Sequence, residues 1–125
     1  MSAILLGKIA IVEDSPSQLE LMSHFLDGTG YEIFKAGNAK EAVKIIFAET
    51  PDIVITDVVM PEMSGFELCR LLRKNPLTKD ISIIICTSKN QKIDRLWGIR
   101  QGANIYLTKP YTRQELVDAI ASLKS

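Results

Sequence analysis

The chain has two cysteines, one tryptophan, one histidine, few aromatic residues and no net charge, and each scarcity excludes something. Cys69 and Cys86 lie in apolar contexts without a C-x-x-C spacing, which reads as buried reduced thiols and not as a disulfide or a zinc site. His24 stands alone on an amphipathic stretch, so a histidine-based metal or phosphotransfer centre is not expected. With 15 Lys+Arg against 15 Asp+Glu, the uniform basic field that drives nonspecific nucleic-acid binding is missing, and no direct nucleic-acid partner is expected. Apolar runs such as Ile53 to Ile55 or Ile81 to Cys86 fall far short of the roughly 20 residues that cross a bilayer, which excludes membrane insertion by a helix. The opening Met1 to Lys8 has no basic leader, so a cytoplasmic location is expected. At 125 residues, one domain spanning 1–125 is expected.

What is present is an alternation. Five short β-branched runs read as strands: Lys8 to Val12, Tyr31 to Lys35, Asp52 to Thr56, Ile81 to Cys86 and Asn104 to Thr108. Three of them are apolar nearly throughout, the mark of strands covered on both faces in a parallel sheet. Between them, Leu19, Met22 and Leu26, then Ala42, Val43, Ile46 and Phe47, then Leu68, Cys69 and Leu72, and last Leu116, Ile120 and Leu123 form helical stripes. Asn38, Ser64 and Thr112, each three residues before a Glu, read as helix caps, and Pro51, Pro76 and Pro110 punctuate element ends. The pattern predicts an α/β fold, doubly wound, with helices on both faces of a five-stranded parallel sheet.

In such a sheet ligands bind beyond the carboxyl ends of the strands. The first strand runs into Glu13-Asp14, the third into Asp57, the fourth into Thr87-Ser88 and the fifth into Lys109-Pro110. Gathered on one rim, the carboxylates repel: two like charges about 4 Å apart cost on the order of 1 to 4 kcal/mol between water and protein-surface dielectrics. Lys109 supplies one offsetting charge, and a hard dication such as Mg²⁺, with oxygen ligands, supplies two. Asp57 is then a candidate nucleophile toward phosphorus, with Thr87 and Lys109 offered to the phosphoryl oxygens.

Glu13-Asp14, Asp57, Met60-Pro61-x-Met63-x-Gly65, Thr87-Ser88 and Lys109-Pro110, in that order along essentially the whole chain, resemble the receiver domain of two-component response regulators. The stand-alone, CheY-like form is expected, with no output domain after Ser125. It implies the flavodoxin-like strand order 2-1-3-4-5 known for CheY. It makes Asp57 the phosphoacceptor and Glu13 and Asp14 the acidic pair for Mg²⁺. The Val59 carbonyl becomes a further metal ligand, Thr87 and Lys109 the phosphoryl-sensing pair and Tyr106 the aromatic switch. It implies a histidine kinase as phosphoryl donor, a cis Lys109-Pro110 bond, an unnamed downstream protein target, and a monomer or a weak phosphorylation-dependent dimer. Such a protein is a switch, not an enzyme with a separate substrate. Val59 and Lys89 differ from the residues of the best-known chemotaxis member. Glu13 to Leu19, Leu96-Trp97-Gly98 and Gln101-Gly102-Ala103 look like the PilG/PilH type of type IV pilus motility and phototaxis, which places the switch in motility or taxis signalling.

Other readings compete. A haloacid dehalogenase-like aspartyl-phosphate phosphatase also uses a strand-end Asp, Mg²⁺ and a Lys, but needs a second Asp where Val59 stands. A flavin module would want a phosphate-cradling loop where Glu13-Asp14 stand. A phosphate sink in a branched phosphorelay shares all the site residues. Elsewhere, Trp97, on a helix with Ile93 and Leu96, reads as covering core, and Arg70 to Lys74 as a solvated helix end. Gly28-Thr29-Gly30 follows a helix and lacks the third glycine of a dinucleotide loop.

Overall fold

The computed structural model describes residues 5–123. The stretch read for a leader therefore lies partly, and the last two residues wholly, outside the described residues. The element order is β1 (Gly7–Val12), α1 (Pro16–Phe25), β2 (Tyr31–Ala36), α2 (Ala39–Glu49), β3 (Ile53–Thr56), α3 (Gly65–Lys74), β4 (Ser82–Thr87), α4 (Lys92–Arg100), β5 (Ile105–Thr108) and α5 (Arg113–Ser122). All strands are parallel, in the order β2-β1-β3-β4-β5, the order that the family resemblance implies.

Strand pleating divides the core into two layers. Ala10, Val12, Val54, Ile83, Ile85 and Tyr106 face α2 and α3, where Ala42, Ile46, Leu68 and Leu72 cover them. Ile9, Ile11, Ile55, Ile84 and Cys86 face α1 and α5, where Met22, Leu26, Leu116 and Ile120 cover them. Both cysteines are free and buried, as expected. The caps at Asn38, Ser64 and Thr112 each accept the predicted backbone N–H, from Glu41, Glu67 and Glu115. The reciprocal carboxylate bond closes at α5, where the Thr112 N–H donates to Glu115 Oε1 at 3.1 Å. Lys109-Pro110 is cis.

Two expectations are overturned. Trp97 does not cover core: it is 46% exposed, beside Ile93 at 69% and Leu96 at 60%. The residue that α4 buries is Gly98, seated on the Tyr106 ring, where a Cβ would stand 2.8 Å from the ring carbon Cδ2. A helix that packs through a glycine leaves its large side chains on the outside. Arg73 is likewise no part of a solvated helix end. Its Nε and Nη2 donate to the Gly102 carbonyl at 3.0 and 2.8 Å, and Nη2 also donates to Asn104 Oδ1 at 3.0 Å. Its Nη1 donates to the carbonyls of Lys79 and Ile81. The guanidinium ties the end of α3 to the loops that lead into β4 and β5.

Candidate functional site

The register of the central strands assembles the site. Val12 and Thr56 are paired at the carboxyl ends of β1 and β3, and the Asp57 N–H donates to the Val12 carbonyl at 3.2 Å. The next residues, Glu13 and Asp57, therefore emerge side by side on one rim. Thr87 closes β4, and the Lys109 N–H donates to its carbonyl at 2.8 Å, bringing the end of β5 to the same rim. From there Lys109 Nζ reaches Glu13 Oε2 at 2.8 Å and Asp57 Oδ2 at 3.0 Å. The second oxygens are engaged too: Asp57 Oδ1 accepts the Val58 and Val59 N–H groups at 2.6 and 3.3 Å, and Glu13 Oε1 accepts the Ser15 N–H at 3.3 Å.

One ammonium shared by two buried carboxylates cannot favour both equally. Burial pushes the Asp57 carboxyl up, but the Thr87 hydroxyl, the Lys109 ammonium and the Val59 N–H outweigh it and hold it below its ordinary 3.8. Glu13 ends above its ordinary 4.5, because burial and the Asp57 charge exceed what Lys109 returns. Burial alone would lower the Lys109 ammonium; its two carboxylate partners raise it instead, so it stays charged.

Asp14 is exposed on the rim beside this triad. Among the described residues, no three Asp, Glu, His or Cys side chains form a ready-made metal cage. The donors within the expected set are all hard oxygens, from Asp14, Asp57 and the exposed Val59, whereas Glu13 is turned to Lys109 and the Ser15 N–H. That set suits a small hard dication that keeps several waters, and not a soft or tightly caged metal.

Thr87 is fully buried, and its hydroxyl accepts the Lys89 N–H at 3.4 Å. Tyr106 is turned inward: its hydroxyl donates to the Lys89 carbonyl at 2.7 Å, while Arg95 lies 5.3 Å over its ring and donates to its carbonyl at 2.8 Å. The Ser88–Gln91 segment is thus tied at one residue, Lys89, to both Thr87 and Tyr106. Sequence reasoning gave no role to the backbone N–H groups of Val58 and Val59, nor to Thr56. No spacing signals a backbone donor, and a threonine in an apolar strand reads simply as β-former.

An open parallel sheet with a lysine-bridged pair of carboxylates at its carboxyl rim defines a signalling class, and the sequence comparison agrees. Residues 9–121 match the response regulator receiver domain, and the chain belongs to that family of phosphorylation-dependent signalling switches. It is 40% identical over 115 residues to protein PilH of Pseudomonas aeruginosa, covering 92% of this chain and 95% of that protein. It is 34% identical to the alkaline phosphatase synthesis transcriptional regulatory protein PhoP of Bacillus subtilis, covering 87% of this chain but only 45% of that one. The chain thus spans about half the length of that regulator. The chemotaxis response regulator CheY4 of Vibrio cholerae superposes with a TM-score of 0.86 at 30% identity, covering 93% of this chain and 97% of that one.

Proposed function

We propose that Asp57 is the phosphoacceptor of this receiver domain. The observation that carries this reading is the Lys109 ammonium lying within 3.0 Å of a carboxylate oxygen on both Asp57 and Glu13. The donor is a phosphohistidine on a partner histidine kinase. An Asp57 oxygen attacks phosphorus, the phosphorus–nitrogen bond breaks, and the histidine nitrogen keeps the electron pair and is protonated from solvent. Lys109 holds one oxygen of the transferring group and the Thr87 hydroxyl another, so developing charge meets donors already in place. Asp14, Asp57 and the Val59 carbonyl, with Glu13 behind them, would hold Mg²⁺, which would neutralise charge on the phosphoryl group. Water later attacks phosphorus, the Asp57 carboxylate leaves, and inorganic phosphate is released; Val59 and Lys89 flank the side from which that water arrives.

Phosphorylation adds roughly one further negative charge at Asp57. Thr87 and Lys109 then gain partners, and the change passes through Lys89 and Tyr106 to α4, whose apolar side chains are the surface a protein target reads. The PilG/PilH-type residues and the likeness to PilH support a cytoplasmic place in motility or taxis signalling. Among the described residues no helix is long and apolar enough to cross a membrane.

Incubation with acetyl phosphate and Mg²⁺ tests the reading. One acid-stable, hydroxylamine-labile phosphoryl adduct is expected, absent from Asp57→Asn. Failure of the native protein to form it, or its persistence in the variant, overturns the assignment.

A further inference from the structure

Thr56 is the last residue of β3, fully buried on the α2/α3 face among Val54, Val58 and Met60. A hydroxyl there costs free energy unless it is bonded. Its hydroxyl donates to the carbonyl oxygen of the next residue, Asp57, at 2.9 Å; Met60 Sδ, at 4.0 Å, is a longer and weaker acceptor for the same proton. The same Asp57 oxygen is seated against the start of α3, where a Cβ on Gly65 would run into it. The peptide that carries this oxygen also carries the Val58 N–H. A peptide is planar, so fixing where its C=O points fixes where its N–H points. That N–H makes the 2.6 Å bond to Asp57 Oδ1.

We infer that Thr56 is a positioning residue for the reacting carboxylate: its hydroxyl locks the Asp57–Val58 peptide plane, and the plane in turn holds Oδ1 while Oδ2 stays on Lys109. This rests on the role of Asp57 proposed above. Thr56 touches neither phosphoryl group nor cation; it acts through one peptide unit. With Oδ1 held by a charge-assisted backbone bond, the carboxylate has a single orientation before any donor arrives. Without the hydroxyl the plane rocks about its flanking bonds, and the Val58 N–H swings off Oδ1.

The test compares native protein with Thr56→Val, which keeps size and β preference but removes the hydroxyl, and Thr56→Ser, which keeps the hydroxyl. Thr56→Ala repeats the first arm should valine disturb the packing. In ¹⁵N-resolved spectra recorded without divalent cation, the Val58 amide proton is expected far downfield in the native protein. It should move upfield in Thr56→Val and return in Thr56→Ser. The rate of phosphorylation by acetyl phosphate at saturating Mg²⁺ is expected to follow the same order, falling about 3- to 10-fold in Thr56→Val, a modest share of what misplacement of a reacting group can cost. An unmoved Val58 amide in Thr56→Val overturns the inference, and so does an equal loss of rate in Thr56→Ser, which would mean packing alone. Should the native protein form no adduct, the role of Asp57 falls instead, and the amide shift still decides whether Thr56 holds the peptide.

Discussion

Lys109 stands between two carboxylates that would otherwise face each other, so its removal exposes their repulsion. Lys109→Met is expected to lose about 3 kcal/mol at neutral pH without divalent cation, as when one partner of a buried ion pair is deleted. Urea unfolding with and without Mg²⁺ checks this, since a cation at the rim should return part of the loss. The native protein's acid profile follows from the opposite displacements of the two carboxyls. Asp57, lowered in the fold, stabilises above its ordinary 3.8, and that contribution disappears as pH falls through its folded value. Glu13, raised in the fold, has the opposite sign: the fold penalises its ionised form, and the penalty is relieved as pH falls through its folded value toward 4.5. Acidification from neutral should therefore raise the urea midpoint slightly before lowering it, and Asp57→Asn should flatten both limbs. Tyr106→Phe, which deletes the hydroxyl bonded to the Lys89 carbonyl, is expected to cost about 1 kcal/mol and to loosen the Ser88–Gln91 segment in amide exchange.

At the scale of elements, the strands were legible because their β-branched runs are short and bounded by turn residues; the bounds shifted by one residue at most ends. The caps at Asn38, Ser64 and Thr112 were legible because capping is local chemistry. Arg73 and α4 were not. A cation near a helix end looks the same in sequence whether water or backbone carbonyls receive it, and hydrophobic periodicity cannot register a helix that docks through Gly98. Both have measurable consequences. Arg73→Met should cost about 2 to 3 kcal/mol, because several carbonyls lose a charged donor, and amide exchange should quicken around residues 102–104. In Gly98→Ala the new methyl meets the Tyr106 ring at 2.8 Å and Ile85 Cδ1 at 3.3 Å, so α4 must lift. About 1 to 3 kcal/mol of destabilisation is expected, as for overpacking in general, with a shifted emission maximum from the single tryptophan, Trp97.

For the molecule as a whole, the rim was legible as a set of strand-end residues with the Lys109 ammonium set against Asp57, whereas its shorter bond to Glu13 was not, because spacing along the chain does not say which of two adjacent carboxylates turns toward the lysine. The ammonium stands between Asp57 and Glu13, and Asp14 is exposed. That exposure leaves Asp14 free of any fold-stabilising duty visible in the structure. Asp14→Ala is accordingly expected to leave the unfolding free energy, from urea titration, within about 0.5 kcal/mol of native while weakening Mg²⁺ affinity, measured by titration.

The triad draws its members from the residues just past β1, β3 and β5, and Lys109 follows the other two along the chain. A polypeptide still emerging from the ribosome displays Glu13 and Asp57 before the ammonium that comes to lie between them. The bridge between the two carboxylates therefore closes only once β5, at the edge of the sheet, has docked beside β4.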